Sequence, residues 1–299
     1  MSTSTPRIGF VGIGLMGHGI AKNLLKGGYR LTFLDHPGNR PADDLKEMGA
    51  VSVPTLGEVA AAADVIFLCV TGSPEVHAVI SGEDGGENGG GLQAYIGPGH
   101  VVCDCSTAIP DQTVEIAALV AKTGAGFLDV PMTRTPKEAE EGRLNVMVGG
   151  DAEVLARVRP LLACYAENIY HAGPVSAGHR LKLLHNFISL GFSALLAEAV
   201  VAARRGGVDM ATFIDVMETG GGHGTVLDRL KPYIETGDIG AFNFSISNSA
   251  KDMGYYADMV SAGGVAHGCA DAVRALYDDA MAKGRGSDPV PRLIDIMGG

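Results

Sequence analysis

Residues 8–20 read Ile8-Gly9-Phe10-Val11-Gly12-Ile13-Gly14-Leu15-Met16-Gly17-His18-Gly19-Ile20. An apolar run long enough for a short strand leads into three glycines, and helix-compatible sequence follows from Met16 to Lys26. Gly12, Gly14 and Gly17 give the spacing G-x-G-x-x-G, which in the context strand–turn–helix is the fingerprint of a dinucleotide-binding βαβ unit. Each glycine has its own physical reason. Gly12 permits the tight turn, Gly14 removes a side chain where pyrophosphate approaches, and Gly17 lets the helix pack closely on the strand. The free N–H groups of the helix start then face the phosphates, so Leu15 and Met16 join the three glycines as cofactor-binding candidates. Asp35 closes the next apolar run, Arg30 to Leu34, 18 residues after Gly17. That is the place of an acid that binds the ribose 2′-hydroxyl, which favours NAD. Arg40 is near enough to receive a 2′-phosphate, so NADP stays open. The competing reading is a glycine turn in an unrelated α/β fold.

Outward from this unit, apolar runs at Asp64 to Val70, His100 to Cys103, Phe127 to Pro131 and Leu144 to Val148 alternate with helical patterns. Continuous apolar strands of this kind predict a parallel sheet covered on both faces. Gly82 to Gly91 reads as a mobile glycine-rich surface insertion. Beyond about residue 175 the pattern turns helical. Gly178 to Arg205 contains no proline and only Gly191 inside it, which predicts an unusually long helix. Met210 to Glu218, Ser247 to Ala262 and Ala270 to Lys283 follow as further helices. The expected architecture is a Rossmann doubly wound parallel sheet over residues 1–174, then an all-helical domain over 175–299, joined by the long helix.

The chain has 299 residues, 46% of them hydrophobic, enough for one large or two medium cores. Its net charge of -11 argues against nucleic acid as a partner. No uninterrupted apolar stretch of about 18 residues suggests a membrane span, and the N-terminus lacks the order of a signal peptide. Five cysteines, an odd number set mostly in apolar runs, read as reduced thiols of a cytoplasmic protein. They show no zinc spacing, so no metal is expected.

A second pattern carries chemistry. The long helix begins Gly178-His179-Arg180-Leu181-Lys182-Leu183-Leu184-His185-Asn186, with Lys182 and Asn186 four apart and on one face. A lysine among leucines is favoured in its neutral form by burial, which suits proton transfer. The alternative is a lysine whose ammonium snorkels to the surface.

These segments resemble the β-hydroxyacid dehydrogenase family, which includes 3-hydroxyisobutyrate, tartronate semialdehyde and 6-phosphogluconate-type dehydrogenases. The resemblance spans nearly the whole chain. It rests on the fingerprint, on Asp104-Cys105-Ser106-Thr107-Ala108-Ile109-Pro110, on Gly178…Lys182…Asn186, and on Lys251-Asp252 after Phe242-Asn243-Phe244. It implies that Lys182 is the catalytic acid/base and that Gly178 and Asn186 belong to the substrate site. It also implies that Ser106 and Thr107 lie at the nicotinamide and the substrate carboxylate, that Val70 and Thr71 line the cofactor, and that Lys251 closes over it. The substrate implied is a small anionic hydroxy acid or its semialdehyde, and the assembly implied is a homodimer or homotetramer.

One segment departs from the family. Where Pro-Val-Ser-Gly-Gly is usual, this chain reads Pro131-Met132-Thr133-Arg134-Thr135-Pro136-Lys137. In this it is similar to the family's sulfolactaldehyde reductases, whose Gly-Arg-Thr segment receives a sulfonate. Thr133, Arg134 and Thr135 are therefore substrate-binding candidates, with a sulfonate, phosphonate or second carboxylate on the substrate. The opposing reading pairs Arg134 with a local acid such as Glu138 or Glu141. His185 stands where the family commonly has Asn and reads mainly as packing. His223, in Gly220-Gly221-Gly222-His223-Gly224, is either a pocket contact or part of a plain glycine loop. Two other functions share the sequence features. Imine reductases share the fold but usually lack a lysine matching Lys182, and a non-catalytic dinucleotide-binding protein would have little use for Lys182, Asn186 and Lys251 together.

Overall fold

The structure is a computed structural model that describes residues 5–82 and 90–299. The glycine-rich insertion expected at 82–91 falls, over 83–89, outside the described residues. The chain forms two compact units, Met1–Lys182 and Leu183–Gly299. The division between these units falls inside the long helix, whose first turn is bonded to the sheet of the first unit.

In the first unit the strands are β1 (Ile8–Val11), β2 (Leu31–Leu34), β3 (Val51–Val53), β4 (Val65–Leu68), β5 (Val101–Asp104), β6 (Gly126–Asp129), β7 (Met132–Thr133), β8 (Leu144–Gly150) and β9 (Ala166–Gly173). They are separated by α1 (Leu15–Lys26), α2 (Asp43–Glu47), α3 (Leu56–Ala61), α4 (Ser73–Ser81), α5 (Pro110–Lys122), α6 (Pro136–Glu141) and α7 (Ala152–Leu162). The sheet order is β3-β2-β1-β4-β5-β6-β8-β7, with β9 beside β8. The first six strands are parallel and follow the Rossmann order. Beyond them β8 runs antiparallel to both β6 and β7. Two apolar layers cover the sheet. One is built on Phe10, Phe67 and Tyr165, the other on Ile66, Leu68 and Val102, all fully buried. The central strands β1, β4 and β5 are buried on both faces, which is why they read as unbroken apolar runs.

Close packing fixes α1. A Cβ on Gly19 would sit 2.6 Å from the Ala139 backbone, so only glycine lets α1 and α6 meet there. Asn23 seals the contact by donating to the Gly19 and Ala139 carbonyls. His18 is buried between Asp44 and Glu140, 2.9 Å from each, and so ties α1 to α2 and α6.

The second unit holds α8 (Ala177–Arg205) from Leu183 onward, then α9 (Met210–Thr219), α10 (Thr225–Thr236), α11 (Ile246–Ala262), α12 (Gly268–Ala282) and α13 (Leu293–Gly298). At about 1.5 Å per residue its 29 residues make α8 roughly 44 Å long. Asp209 and Ser245 cap α9 and α11 by accepting backbone N–H bonds from Thr212 and Asn248. Phe187 stacks on Tyr256 at 4.3 Å, and the Tyr277 hydroxyl donates to the Leu190 carbonyl, joining α8 to α11 and α12. Among the described residues α8 alone is long and apolar enough to cross a membrane, with mean hydropathy 1.7, but 56% of that window is buried in the protein. It reads as a core helix.

Candidate active site

The fingerprint, Asp35, Val70–Thr71 and Ser106–Thr107 follow β1, β2, β4 and β5 in turn. All therefore lie outside the carboxyl ends of parallel strands. The order reverses between β1 and β4, the topological switch point at which open α/β sheets bind ligands.

The turn after β1 is built for backbone alone. Gly12 has φ +96°, and a Cβ there would lie 2.3 Å from the Cys69 carbonyl oxygen. A Cβ on Gly17 would lie 2.0 Å from the Gly12 carbonyl oxygen. Around a Cβ on Gly14, by contrast, no protein atom lies within 4 Å. Two closed glycines and one open one are the cradle that a pyrophosphate needs, so these residues fit a dinucleotide. Leu15 is exposed and Met16 half-buried at the start of α1. Asn39 was missed by the sequence reading. Its side chain accepts from the Ile13 N–H at 3.1 Å and donates to the Leu34 carbonyl at 2.9 Å, locking the fingerprint turn to the end of β2. Asp35 is exposed there, and Arg40 lies 3.9 Å from Glu140.

Asp104 and Asp129 end β5 and β6, are paired in register, and are both fully buried. Asp104 accepts from the Ser106 N–H at 2.9 Å. Burial pushes its carboxyl up, while nearby His179 draws it back. Asp129 accepts from the Ser176 and His179 N–H groups at 2.8 Å each, capping the start of α8. Gly178 is glycine for space as much as for any ligand. A Cβ there would lie 2.6 Å from the Met147 carbonyl oxygen and 2.7 Å from Asp129. Ser106 is buried, and its hydroxyl accepts from the Val70 N–H at 3.1 Å. Thr107 beside it is half-buried. Burial also pushes the Cys69 thiol up to about 12, and raises those of Cys103 and Cys105 as well, so these strand ends offer no thiolate at neutral pH.

In the departing segment each of the three candidates has a local partner. Thr133 accepts from the Asn145 amide. Thr135 caps α6 in a capping box with Glu138. Arg134 sits at φ +83°, and its guanidinium bonds Glu167 and the Arg143 carbonyl rather than Glu138 or Glu141. Lys182 is half-buried on the second turn of α8.

In the second unit Asn186 is buried and its amide donates to Asp252 at 2.6 Å. The other Asp252 oxygen is 3.1 Å from the Lys251 ammonium, which also lies over the Tyr255 ring. The sequence reading gave Asp252 no role, yet it holds both Asn186 and Lys251. His185 is exposed, with Nδ1 3.0 Å from the Asn186 amide oxygen. His223 is exposed and 3.8 Å from Asp228.

Comparison with known proteins agrees with this geometry. Residues 7–173 match the family described as NAD binding domain of 6-phosphogluconate dehydrogenase. Residues 176–295 match NAD-binding of NADP-dependent 3-hydroxyisobutyrate dehydrogenase. The chain is 31% identical to 3-sulfolactaldehyde reductase of Escherichia coli, over 96% of this chain and 94% of that one. It is 33% identical to NAD-dependent L-serine dehydrogenase of Pseudomonas aeruginosa, over 76% and 74%. The structure of Mycobacterium tuberculosis 3-hydroxyisobutyrate dehydrogenase with L-serine superposes with a TM-score of 0.86 at 25% identity, covering 99% of this chain and all of that one. The chain belongs to the β-hydroxyacid dehydrogenase family and is an NAD(P)-binding oxidoreductase of hydroxy acids.

Proposed function

We propose that this protein interconverts a small 3-hydroxy acid and its semialdehyde or oxo form, with Lys182 as general acid/base. One observation carries the reading. Lys182 is half-buried one helical turn before Asn186, whose amide is fixed by the buried Asp252. The nicotinamide ring, when bound, supplies or accepts the hydride. Lys182 takes the hydroxyl proton in oxidation and returns it to the carbonyl oxygen in reduction. Asn186 and Lys251 hold the substrate and the cofactor side. Asp35 at the exposed end of β2 binds the ribose hydroxyls, which favours NAD over NADP. Lys182→Ala is expected to lose at least about a hundredfold in kcat while keeping NADH affinity, read by absorbance assay over a panel of 3-hydroxy acids and by fluorescence titration. Turnover near that of the wild type sinks the assignment.

A second reading concerns the substrate. Arg134 departs from the family pattern, takes a left-handed backbone, and matches a feature of the sulfolactaldehyde reductases, one of which is 31% identical to this chain. It supports a substrate with a second anionic group, bound when the guanidinium exchanges Glu167 for that group.

The homo-oligomer and the cytoplasmic location also belong to this proposal. Leu184, Ile188 and Leu195 form one exposed apolar stripe on α8, opposite its buried face, and a second copy is the expected cover. Light scattering is expected to give a dimer or tetramer that Ile188→Lys weakens, and a wild-type monomer at micromolar concentration refutes it. The five free cysteines fit a reducing compartment.

A further inference from the structure

Ser106 is held rather than presented. Its N–H is bonded by Asp104, its hydroxyl by the Val70 N–H, and its carbonyl lies 3.1 Å from His179 Nε2. His179 is wholly buried, an uncommon position for a histidine. Its Nδ1 is 2.7 Å from the Thr113 hydroxyl on α5, and its Nε2 is 3.9 Å from Asp104. Its own backbone N–H is bonded by Asp129. One residue on the first turn of α8 thus reaches both carboxylates at the ends of β5 and β6 and the turn after β5. The ring is not there to fill space with carbon, since both nitrogens meet polar partners. A cavity of about 10 Å³, the size of one water molecule, is lined by the polar Ser73, Asp104, Gln112 and Thr113 and by the apolar Val76, Ala108 and Ile116.

We infer that His179, backed by Asp104 and Asp129, is a positioning residue that sets the Ser106–Thr107 turn against the start of α8, three residues before Lys182. The inference rests on the hydroxy acid reading above for its consequence in turnover, though not for its geometry. His179 touches no reacting atom. It acts through Ser106, whose carbonyl it fixes, and through the register of α8. Hydride transfer tolerates little misplacement, and an error of about 1 Å costs on the order of a hundredfold. Loosening this turn therefore appears in kcat/KM for the acid before it appears in nucleotide affinity, because the fingerprint cradle lies on other strands.

The two amide isosteres of histidine test this. In His179→Gln the amide nitrogen falls near Nε2 and keeps the donor to the Ser106 carbonyl. In His179→Asn it falls near Nδ1 and loses that reach. Hydrogen–deuterium exchange is followed over residues 103–109, NADH affinity by fluorescence, and kcat/KM with 3-hydroxyisobutyrate and L-serine. His179→Asn is expected to exchange at least about tenfold faster at this turn, and His179→Gln within about threefold of wild type. NADH affinity stays within about threefold in both, and kcat/KM falls about tenfold or more in His179→Asn alone. Equal loss in both variants, in exchange or in turnover, makes the ring a packing element and overturns the inference. A wild-type protein that binds NADH yet turns over no hydroxy acid refutes the proposed function instead, and the exchange comparison still decides the role of His179.

Discussion

Of the turns in the first unit that put a residue at positive φ beside a strand end, two are filled in opposite ways. After β1 the residue is Gly12 at +96°, and after β7 it is Arg134 at +83°. The left-handed region costs an L-residue roughly 1–2 kcal/mol, so glycine is the easy solution at both. At Gly12 it is the only solution, because the Cys69 carbonyl occupies the place of a Cβ. At Arg134 the chain accepts the cost and holds a guanidinium against Glu167 and the Arg143 carbonyl. The first turn serves what all dinucleotide-binding proteins share. In the function proposed above the second turn meets the substrate, and the strain tolerated at Arg134 is what that reading accounts for.

The largest expected effects test the first turn. Gly12→Ala drives a Cβ to within 2.3 Å of backbone at a positive φ. It is expected to cost about 3 kcal/mol or more of stability and to abolish NADH binding. Gly14→Ala meets no protein atom, so it is expected to leave the thermal midpoint unchanged while weakening NADH at least about tenfold, by crowding the pyrophosphate. Thermal unfolding and fluorescence titration separate the two. If Gly14→Ala binds NADH like wild type, the open side of the cradle does not face the phosphates.

What was legible in the sequence follows the same division. The Rossmann strands and the long helix stood out because burial on both faces, or along one face over 29 residues, writes a continuous pattern. β3 and β9 did not, since β3 has three residues with Val51 exposed, and β9 has only Ala166 buried and mixes Glu167, Asn168 and His171 among its apolar residues. α10 was passed over because Pro232 interrupts it, although Val226, Leu227, Leu230, Tyr233 and Ile234 mark its buried face. Within the site, the glycine spacing and the Lys182–Asn186 interval are local and therefore readable. Asp104, Asp129 and His179 are not. The Asp129 bonds reach 47 and 50 residues along the chain, and the His179 bond to Ser106 reaches 73. A carboxylate at the end of an apolar strand says nothing by itself about which helix it caps. The departing segment was readable only as a departure. That Thr135 caps α6 and that Arg134 turns to Glu167 came from the fold.

Smaller effects test the second turn, and two substitutions at one residue isolate its two properties. Arg134→Ala and Arg134→Gly both remove the guanidinium. If Arg134 binds an anionic distal group, both are expected to raise KM for a sulfonate-bearing substrate, by a factor of about ten or more, and to leave KM for 3-hydroxyisobutyrate nearly unchanged. Unchanged KM for every anionic substrate removes Arg134 from the site. The backbone cost is read from the difference between the two variants, since each loses the same half-exposed pairing with Glu167, itself worth at most about 1 kcal/mol. Alanine keeps the left-handed strain and glycine relieves it, so Arg134→Gly is expected to be the more stable by about 1 kcal/mol. For a unit of this size that is roughly 2–4 °C in the thermal midpoint. Equal stability of the two would mean that the turn relaxes away from φ +83° once the arginine is gone. The strain would then belong to the guanidinium's grip on Glu167 and Arg143, not to the course of the chain between β7 and α6.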